Sequence, residues 1–186
     1  MPLPIPASCA GRPTVGGLVV PYISVQGSAM VALGSVHRTR VVECILANLC
    51  QVCGGDLTRP MVVFATQSGV DRRYSGEPPV CGPCAGYSAA ACPMLNGRQK
   101  AYRIPDRHVG TKCDKPGCDC AGWVFSDDDT AGARAGQVAE PWFAVWLPSF
   151  QVAVNDRREV HGVAWRGIEP LRIRPVVRPH APEEAL

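Results

Sequence analysis

The sequence predicts an α+β fold with few short helices and a small antiparallel sheet in its C-terminal third. Short runs of β-branched and aromatic residues recur along the chain, and one segment near residue 40 has apolar residues at helical spacing. Gly and Pro are frequent, at 19 and 18 of 186 residues, which favours short elements joined by turns. Hydrophobic residues make up 46% of the chain and charged residues 19%, so extensive disorder is not expected.

The first half of the chain is predicted to contain a strand, a helix and two further strands. Residues 17–25 form a β-branched run, and a proline inside it indicates an edge position or a break. Residues 36–48 are expected to be helical, with Ser35 as the N-cap, because apolar residues recur there with helical period. The run MVVFATQ (61–67) predicts a strand, and a second short strand is expected at 72–75.

A further helix and several strands are expected after residue 80. The helix should begin near Pro83 and end at Cys92, because proline suits a first helical turn and Pro93 cannot continue the helix. The runs PWFAVWL, FQVAV, EVHGVAW and LRIRPVV predict short strands, two of them joined in a hairpin by a turn at 155–158. The predicted organisation is a lead-in with a short strand at 1–34, a cysteine-rich module at 35–125, an antiparallel sheet packed on it at 138–177 and a flexible tail at 178–186.

Two Cys-x-x-Cys pairs, in LCQVCGGDL and PVCGPC, stand 27 residues apart. Four thiolates supplied in this way are the ligand set of a tetrahedral Zn²⁺ site. Gly54 and Gly55 allow a tight turn after the first pair, and the predicted helix N-terminus favours a thiolate in the second. The predicted ligands of a structural zinc are Cys50, Cys53, Cys81 and Cys84. With four thiolates in the shell, no position remains open for a catalytic water.

The order of a knuckle, a strand pair and a helix carrying the last two ligands is that of a treble-clef zinc module. A helix leading into LCQVCGGDL also resembles the opening of HNH-type treble-clef domains. Those nucleases carry a water-activating His between the pairs, whereas residues 54–80 contain no His, so nuclease activity of that type is not expected. The quartet CGPC (81–84) is also a thioredoxin-type redox motif, but this alternative leaves the first pair unexplained and lacks a βαβ setting.

A second cysteine cluster lies in KCDKPGCDCAGW (112–123). It could form a second zinc site, or some of its thiols could be small buried apolar groups. Cys9 and Cys44 have no spacing partner and are predicted to pack in the core, and His161 is expected to be a hydrogen-bonded sheet residue. The candidate ligands of the second metal are Cys113, Cys118 and Cys120, with Cys92 or His108 as the fourth.

Basic residues are concentrated at 98–115, with six Lys or Arg against two Asp and with Tyr102 among them. Such a surface beside a zinc module suits contact with a phosphate backbone of DNA or RNA. A solvated loop that balances the acidic residues 127–129 is the alternative, and the net charge of +3 is too small to decide between them. The candidate phosphate contacts are Arg72, Arg73, Arg98, Lys100, Arg103 and Arg107.

The sequence favours a cytoplasmic location. No segment approaches the roughly 20 apolar residues of a membrane span, so no membrane association is expected, and the first residues lack the pattern of a signal peptide. Because cytoplasmic thiols stay reduced, the ten cysteines favour metal binding over disulfides.

The motifs CAGRP, GGLVVPYI, LCQVCGGDL, AACPML, CDCAGW, EPWFAVW and HGVAW together resemble an uncharacterised family of actinobacterial and actinophage proteins with cysteine-rich, non-catalytic, HNH-like treble-clef zinc modules. The resemblance covers about residues 9–177 and implies metal binding and a bacterial or phage source. It implies a His at the position of Cys81 in relatives, which a zinc shell accepts. It brings no activity.

The sequence therefore favours a non-enzymatic, zinc-stabilised nucleic-acid-binding module related to phage or mobile elements. One alternative is a protein–protein adaptor that binds a host or phage protein through exposed aromatics near PWFAVWLPSF. The other is an enzyme, either a thiol redox protein or a metal-dependent hydrolase.

Overall fold

The computed structural model describes residues 3–26, 31–102, 116 and 135–177. Within these ranges the chain forms three α-helices and ten short strands. The helices are α1 Arg38–Leu46, α2 Gln67–Arg72 and α3 Gly82–Ala91, and a 3-10 turn covers Ala7–Cys9. The strands are β1 Thr14–Val15, β2 Leu18–Val19, β3 Ser24–Gln26, β4 Val31–Val36, β5 Met61–Thr66, β6 Tyr74–Ser75, β7 Trp142–Leu147, β8 Gln151–Val154, β9 Val160–Ala164 and β10 Arg172–Pro175.

The described strands pair only in antiparallel fashion, in two hairpins and two three-stranded sheets. The hairpins are β1–β2 and β3–β4, and the sheets have the orders β10-β7-β5 and β6-β9-β8. The α+β class predicted from the sequence is therefore confirmed. Each three-stranded sheet combines one strand from between the Cys pairs with two strands from the final third of the chain. The domain boundaries expected from the sequence stay predictions.

Strand β5 lies at the centre of the molecule and is buried at all six positions. Successive side chains of a strand point to opposite faces, so β5 supplies two cores. Val62 and Phe64 pack in the core that contains the four paired cysteines. Val63 and Ala65 pack in a second core with Trp165. Burial on both faces explains why MVVFAT is a continuous apolar run without alternation.

Helix α1 begins two residues later than the sequence predicts. Ser35 is not its N-cap, because the backbone of residues 35 and 36 belongs to β4, which the pairing of Ser24 with Val36 holds extended. His37 occupies the N-cap position without a side-chain cap. The buried face of the helix carries Cys44 and Ile45.

The predicted strand at 17–25 is broken into β2 and β3 with Pro21 between them, as its proline indicated. The residues at the break pair instead with the turn of the first Cys pair. Tyr22 N donates to Val52 O at 2.9 Å, and Ile23 N donates to Gln51 O at 3.2 Å. The N-terminal segment is thus attached directly to the cysteine-rich turn.

The segment between the Cys pairs differs from the predicted strand pair. Strand β6 pairs with β9 instead of β5, and a short helix, α2, separates the two strands. Thr66 caps α2 by accepting a hydrogen bond from Gly69 N, and Arg73 ends it in the left-handed conformation, with φ 53°. Strand β5 instead meets Val80, whose backbone exchanges hydrogen bonds of 2.8 and 2.9 Å with that of Val62.

The four strands predicted in the final third are all present, and β8 and β9 form the expected hairpin. Asn155 N donates to Glu159 O at 3.0 Å across the turn. Trp165 is 1% exposed in the second core, while Trp142 and Trp146 are half-buried against the first. None of the helices described is both long enough and apolar enough to cross a membrane. Residues 178–186, the predicted tail, lie outside the described residues.

Candidate metal centre

The two Cys-x-x-Cys pairs converge, as the sequence predicts. The sulfurs of Cys50, Cys53, Cys81 and Cys84 all lie within 4.8 Å of one another. A tetrahedral zinc with Zn–S bonds of about 2.3 Å separates its sulfurs by about 3.8 Å. The cluster therefore matches the size of a Zn²⁺ shell to within small side-chain adjustments, and all four cysteines are free thiols.

A knuckle turn presents the first pair. Cys50 N donates to Gly55 O and Gly54 N donates to Cys50 O, both at 2.8 Å, and Leu49 bridges to Asp56. Gly54 has φ +78°, a left-handed conformation that favours glycine. A Cβ at this position would lie 2.7 Å from Cδ2 of the Tyr22 ring. Two separate features, the positive φ and the close Tyr22 ring, therefore favour glycine at residue 54.

The start of helix α3 presents the second pair. Cys81 is the N-cap and Cys84 lies in the first turn, with Pro83 beside it. Cys81 N donates to Cys50 Sγ at 3.4 Å, which joins the two pairs before any metal is considered. The N-terminal end of a helix also stabilises negative charge, so the position suits metal-bound thiolates.

Gln51 holds the two pairs together through the backbone. Its N–H donates to Pro79 O at 3.1 Å, and its side-chain Nε2 donates to Pro78 O at 2.6 Å. Gln51 is only 8% exposed, so these bonds are shielded from water. The distance between knuckle and helix is thus fixed by protein contacts that lie outside the cluster itself.

Burial controls the protonation of the metal-free cluster. Cys50 and Cys84 are fully buried and Cys81 is 6% exposed, while Cys53 is half-buried. The hydrogen bond with Cys84 and desolvation both raise the pKa of Cys50, and desolvation raises the pKa of Cys81. A metal ion that binds here must therefore displace protons, which couples its affinity to pH.

A fifth cysteine contacts the cluster. Cys9 Sγ lies 3.7 Å from Cys84 Sγ, and Ser8 Oγ lies 3.5 Å from the same sulfur. Cys9 is 2% exposed, so the expectation that it packs in the core is confirmed. Its contact with a predicted ligand was not foreseen, because 75 residues separate the two cysteines and no spacing pattern joins them. Cys44 is also fully buried, and desolvation raises its pKa to about 12.

The predicted second metal site falls almost entirely outside the described residues. Cys113, Cys118, Cys120 and His108 all do so. Cys92 is described, half-buried at the C-cap of α3 and packed against the first core. Among described residues, the four-cysteine cluster is the one group of three or more His, Cys, Asp or Glu that could hold a metal ion.

The described basic candidates occupy different elements. Arg72 is exposed at the end of α2, where its Nε donates to Ser68 O at 3.0 Å. Arg73 forms an ion pair with Glu169 at 3.4 Å. Arg98 and Lys100 are exposed after α3, whereas residues 103 and 107 lie outside the described ranges. The structure thus describes four of the six candidates, and whether they touch nucleic acid stays a prediction.

Comparison with known proteins finds no match for this chain among family models, curated proteins or solved structures. The resemblance to the actinobacterial and phage family therefore stays an expectation from sequence motifs. The feature that the structure itself supplies is a cluster of four cysteines close enough to hold a metal ion.

Proposed function

We propose that this protein is a non-enzymatic, zinc-stabilised module of the treble-clef type that binds nucleic acid. The observation that carries the proposal is the convergence of four cysteine sulfurs within 4.8 Å. Sulfur-only tetrahedral shells are typical of Zn²⁺ or iron in proteins. We infer zinc in a structural role, because four thiolates would leave no position for a substrate or water.

Three local features support a treble-clef arrangement. A knuckle carries the first two cysteines, an antiparallel bridge joins Val62 to Val80, and the first turn of α3 carries Cys84. The insertion of α2 and β6 between the bridged positions is a departure from a plain hairpin. The zinc would join the knuckle to helix α3 inside the first core and so add its binding free energy to folding, as in other zinc modules.

Exposed cations that carry no ion pair support the binding of nucleic acid. Among the described residues, Arg72, Arg98 and Lys100 have no carboxylate within 4 Å, whereas Arg73 is paired with Glu169. Unpaired surface cations can neutralise phosphates and release counterions. Arg103 and Arg107 would extend this set along the basic segment that follows α3.

Binding to duplex DNA, single-stranded DNA and RNA should be measured by fluorescence anisotropy at several salt concentrations. On duplex DNA, the triple variant R72Q/R98Q/K100Q should flatten the salt dependence by about 0.9 units for each lost phosphate contact, or about 3 units in all. The matched control R157Q/R166Q removes two exposed arginines outside the proposed set. Binding that is absent, or that does not respond to salt, would remove the nucleic-acid part of the proposal.

A protein–protein adaptor is the second candidate, and edge strands favour it. Leu171 beside β10 is 64% exposed and Val154 on β8 is 56% exposed, and both strands are sheet edges. Edge strands with apolar side chains can pair with a strand of another protein. If this candidate is right, a partner protein should co-purify with the wild type and should be lost from the variants V154K and L171K. A co-purifying protein that both variants retain, or no co-purifying protein at all, would contradict it.

The aromatic residues first expected to serve an adaptor are not exposed. Trp142, Phe143 and Trp146 lie on β7, which is the central strand of its sheet, and are half-buried. Alternation of apolar residues does not distinguish a central strand from an edge strand, so the sequence alone does not predict how exposed these aromatic side chains are.

The redox alternative has little support from the described fold. Cys81 and Cys84 group with the other Cys pair, and no described strands are paired in parallel, as a βαβ setting requires. Disulfide reductase activity of the metal-free protein, compared with that of the variant C81S, tests this alternative directly.

A further inference from the structure

A cleft of about 260 Å³ lies away from the cysteine cluster, and no cysteine lines it. Its lining residues come from α1, α2, β6 and β9, from the ends of β4, β5 and β7, from the loop after β6 and from Ile23, which precedes β3. The residues that matter for its chemistry are Arg38, Arg72, Tyr74, Glu77, Trp142 and His161.

Two arginines and a single acidic residue, Glu77, line this cleft. Arg38 Nη2 donates to Val160 O at 3.0 Å and Arg72 Nε donates to Ser68 O at 3.0 Å, so each side chain is held in place by the backbone. Neither arginine forms an ion pair within the part of the chain that the structure describes. Each guanidinium has five N–H donors, so most of them are left for a ligand. Two cations against Glu77 favour an anion.

A hydrogen-bonded tyrosine–histidine pair also lines the cleft. Tyr74 Oη donates to His161 O at 3.0 Å and lies 2.5 Å from His161 Nδ1. The tyrosine hydroxyl has one proton for these two contacts, and in either tautomer of His161 the Nε2 atom has no hydrogen-bond partner among the described residues. The expectation that His161 is a hydrogen-bonded sheet residue is confirmed, and the described part of the chain supplies a partner for one of its two ring nitrogens.

The pair depends on a glycine. A Cβ at Gly162 would overlap the Ser75 carbonyl oxygen and lie 2.9 Å from Tyr74 Oη. Only glycine therefore lets β6 approach β9 closely enough for the tyrosine to reach the histidine. The side chains of Tyr74 and His161 also stack, with ring centroids 5.9 Å apart.

The remaining lining includes the apolar residues Ile23, Val36, Val41 and Val160. The indole Nε1 of Trp142, another lining residue, is buried and has no hydrogen-bond partner among the residues described. Buried donors are seldom left unpaired in native proteins, so an acceptor is expected there. The volume is below the roughly 300–1,000 Å³ of pockets for drug-sized ligands, which limits the occupant to a small molecule.

We infer that this cleft binds a small molecule with an oxyanion head, a carboxylate or a phosphate, on an apolar body. Arg38 and Arg72 would hold the head, and His161 Nε2 would add a further polar contact. The apolar lining residues would contact the body. This site goes beyond the proposed function, since it requires neither zinc chemistry nor nucleic acid.

The inference is tested by titrating the intact protein with phenyl phosphate and benzoate, which distinguish the two head groups. Inorganic phosphate probes the head alone, and benzyl alcohol is the uncharged control. NMR shifts of the His161 ring and the Trp142 indole should saturate with at least one of the two acids. The variants R38Q and R72Q should each weaken that binding about tenfold or more, as expected for loss of a charged hydrogen bond.

The matched control R157Q removes an exposed arginine outside the cleft and should bind the acids as the wild type does. If R38Q fails to fold, R72Q decides, because Arg72 is exposed and bonds only to Ser68. The variant R98Q should affect nucleic acid but not the acids, which separates the two proposals. Failure of both acids to saturate, benzyl alcohol binding equally well, or unchanged affinity in R72Q would overturn the inference.

Discussion

The substitution Gly54→Ala tests how closely the knuckle is fitted to the rest of the protein. At φ +78° an alanine costs about 1–2 kcal/mol of backbone strain. The new Cβ would also lie 2.7 Å from the Tyr22 ring, so the ring must move. The guanidinium carbons of Arg12 and Arg40 lie 5.6 Å and 5.3 Å from the centroid of the Tyr22 ring. Each of these cation–π contacts contributes about 0.5–1 kcal/mol to stability. The total loss of unfolding free energy should be about 2–4 kcal/mol.

Urea unfolding of the zinc-loaded protein measures this loss, and two matched variants divide it into its parts. Gly16 also has positive φ, at +58°, but a Cβ there meets nothing within 4 Å. Gly16→Ala should therefore show the strain without the clash. Tyr22→Ala in the Gly54→Ala background should relieve the clash, so that the two losses are less than additive. A Gly54→Ala protein no less stable than Gly16→Ala would refute the reasoning.

Three further predictions follow from the buried thiols. Chelation of the metal should unfold the cysteine-rich region, and the loss of near-UV circular dichroism should report this. The binding of a structural zinc contributes about 10–16 kcal/mol to the free energy of folding, which is as much as the whole stability of a typical domain. A fall in pH should release the metal, because protons compete with it for the four thiolates, and a zinc indicator should report release that increases as pH falls. Cys9→Ala should keep the zinc count but speed its transfer to a chelator about tenfold or more, because the contact with Cys84 is lost.

Alkaline pH should destabilise the fold through Cys44. Its pKa is raised from 9.0 to about 12 by burial, so the neutral thiol stabilises the folded state fully below pH 9. That contribution is lost as pH rises from 9 towards 12, and three pKa units correspond to about 4 kcal/mol at most. Cys44→Ala should remove this part of the pH dependence in urea unfolding measured between pH 8 and 11. An unchanged alkaline slope would contradict the assignment.

The sequence predicted the features that depend on local chemistry. The spacing of the Cys pairs is a short-range pattern with one main physical use, and the structure confirms that the four sulfurs converge. The helix after Cys81 follows from Pro83 and the alanine run, and its end at Cys92 agrees with the proline that follows. The β8–β9 hairpin was similarly marked by its turn residues.

The sequence did not predict the features that depend on distant contacts. The pairing of β6 with β9 and the contact of Cys9 with Cys84 join residues about 75 or more positions apart, and no local pattern encodes them. Helix α2 was missed because its six residues include Gly69 and few apolar positions, so the Thr66 cap and the packing on β5 must select it. Ser35 was assigned to a helix cap although pairing with β3 keeps that segment extended.

The most direct test of the account is the number of zinc ions per chain before and after removal of two cluster ligands. Elemental analysis of purified native protein should give at least one zinc per chain, and the double variant C50S/C84S should contain one zinc fewer. Native protein that is folded and free of zinc, or a zinc count that the double variant leaves unchanged, would contradict the claim that these four cysteines hold the metal.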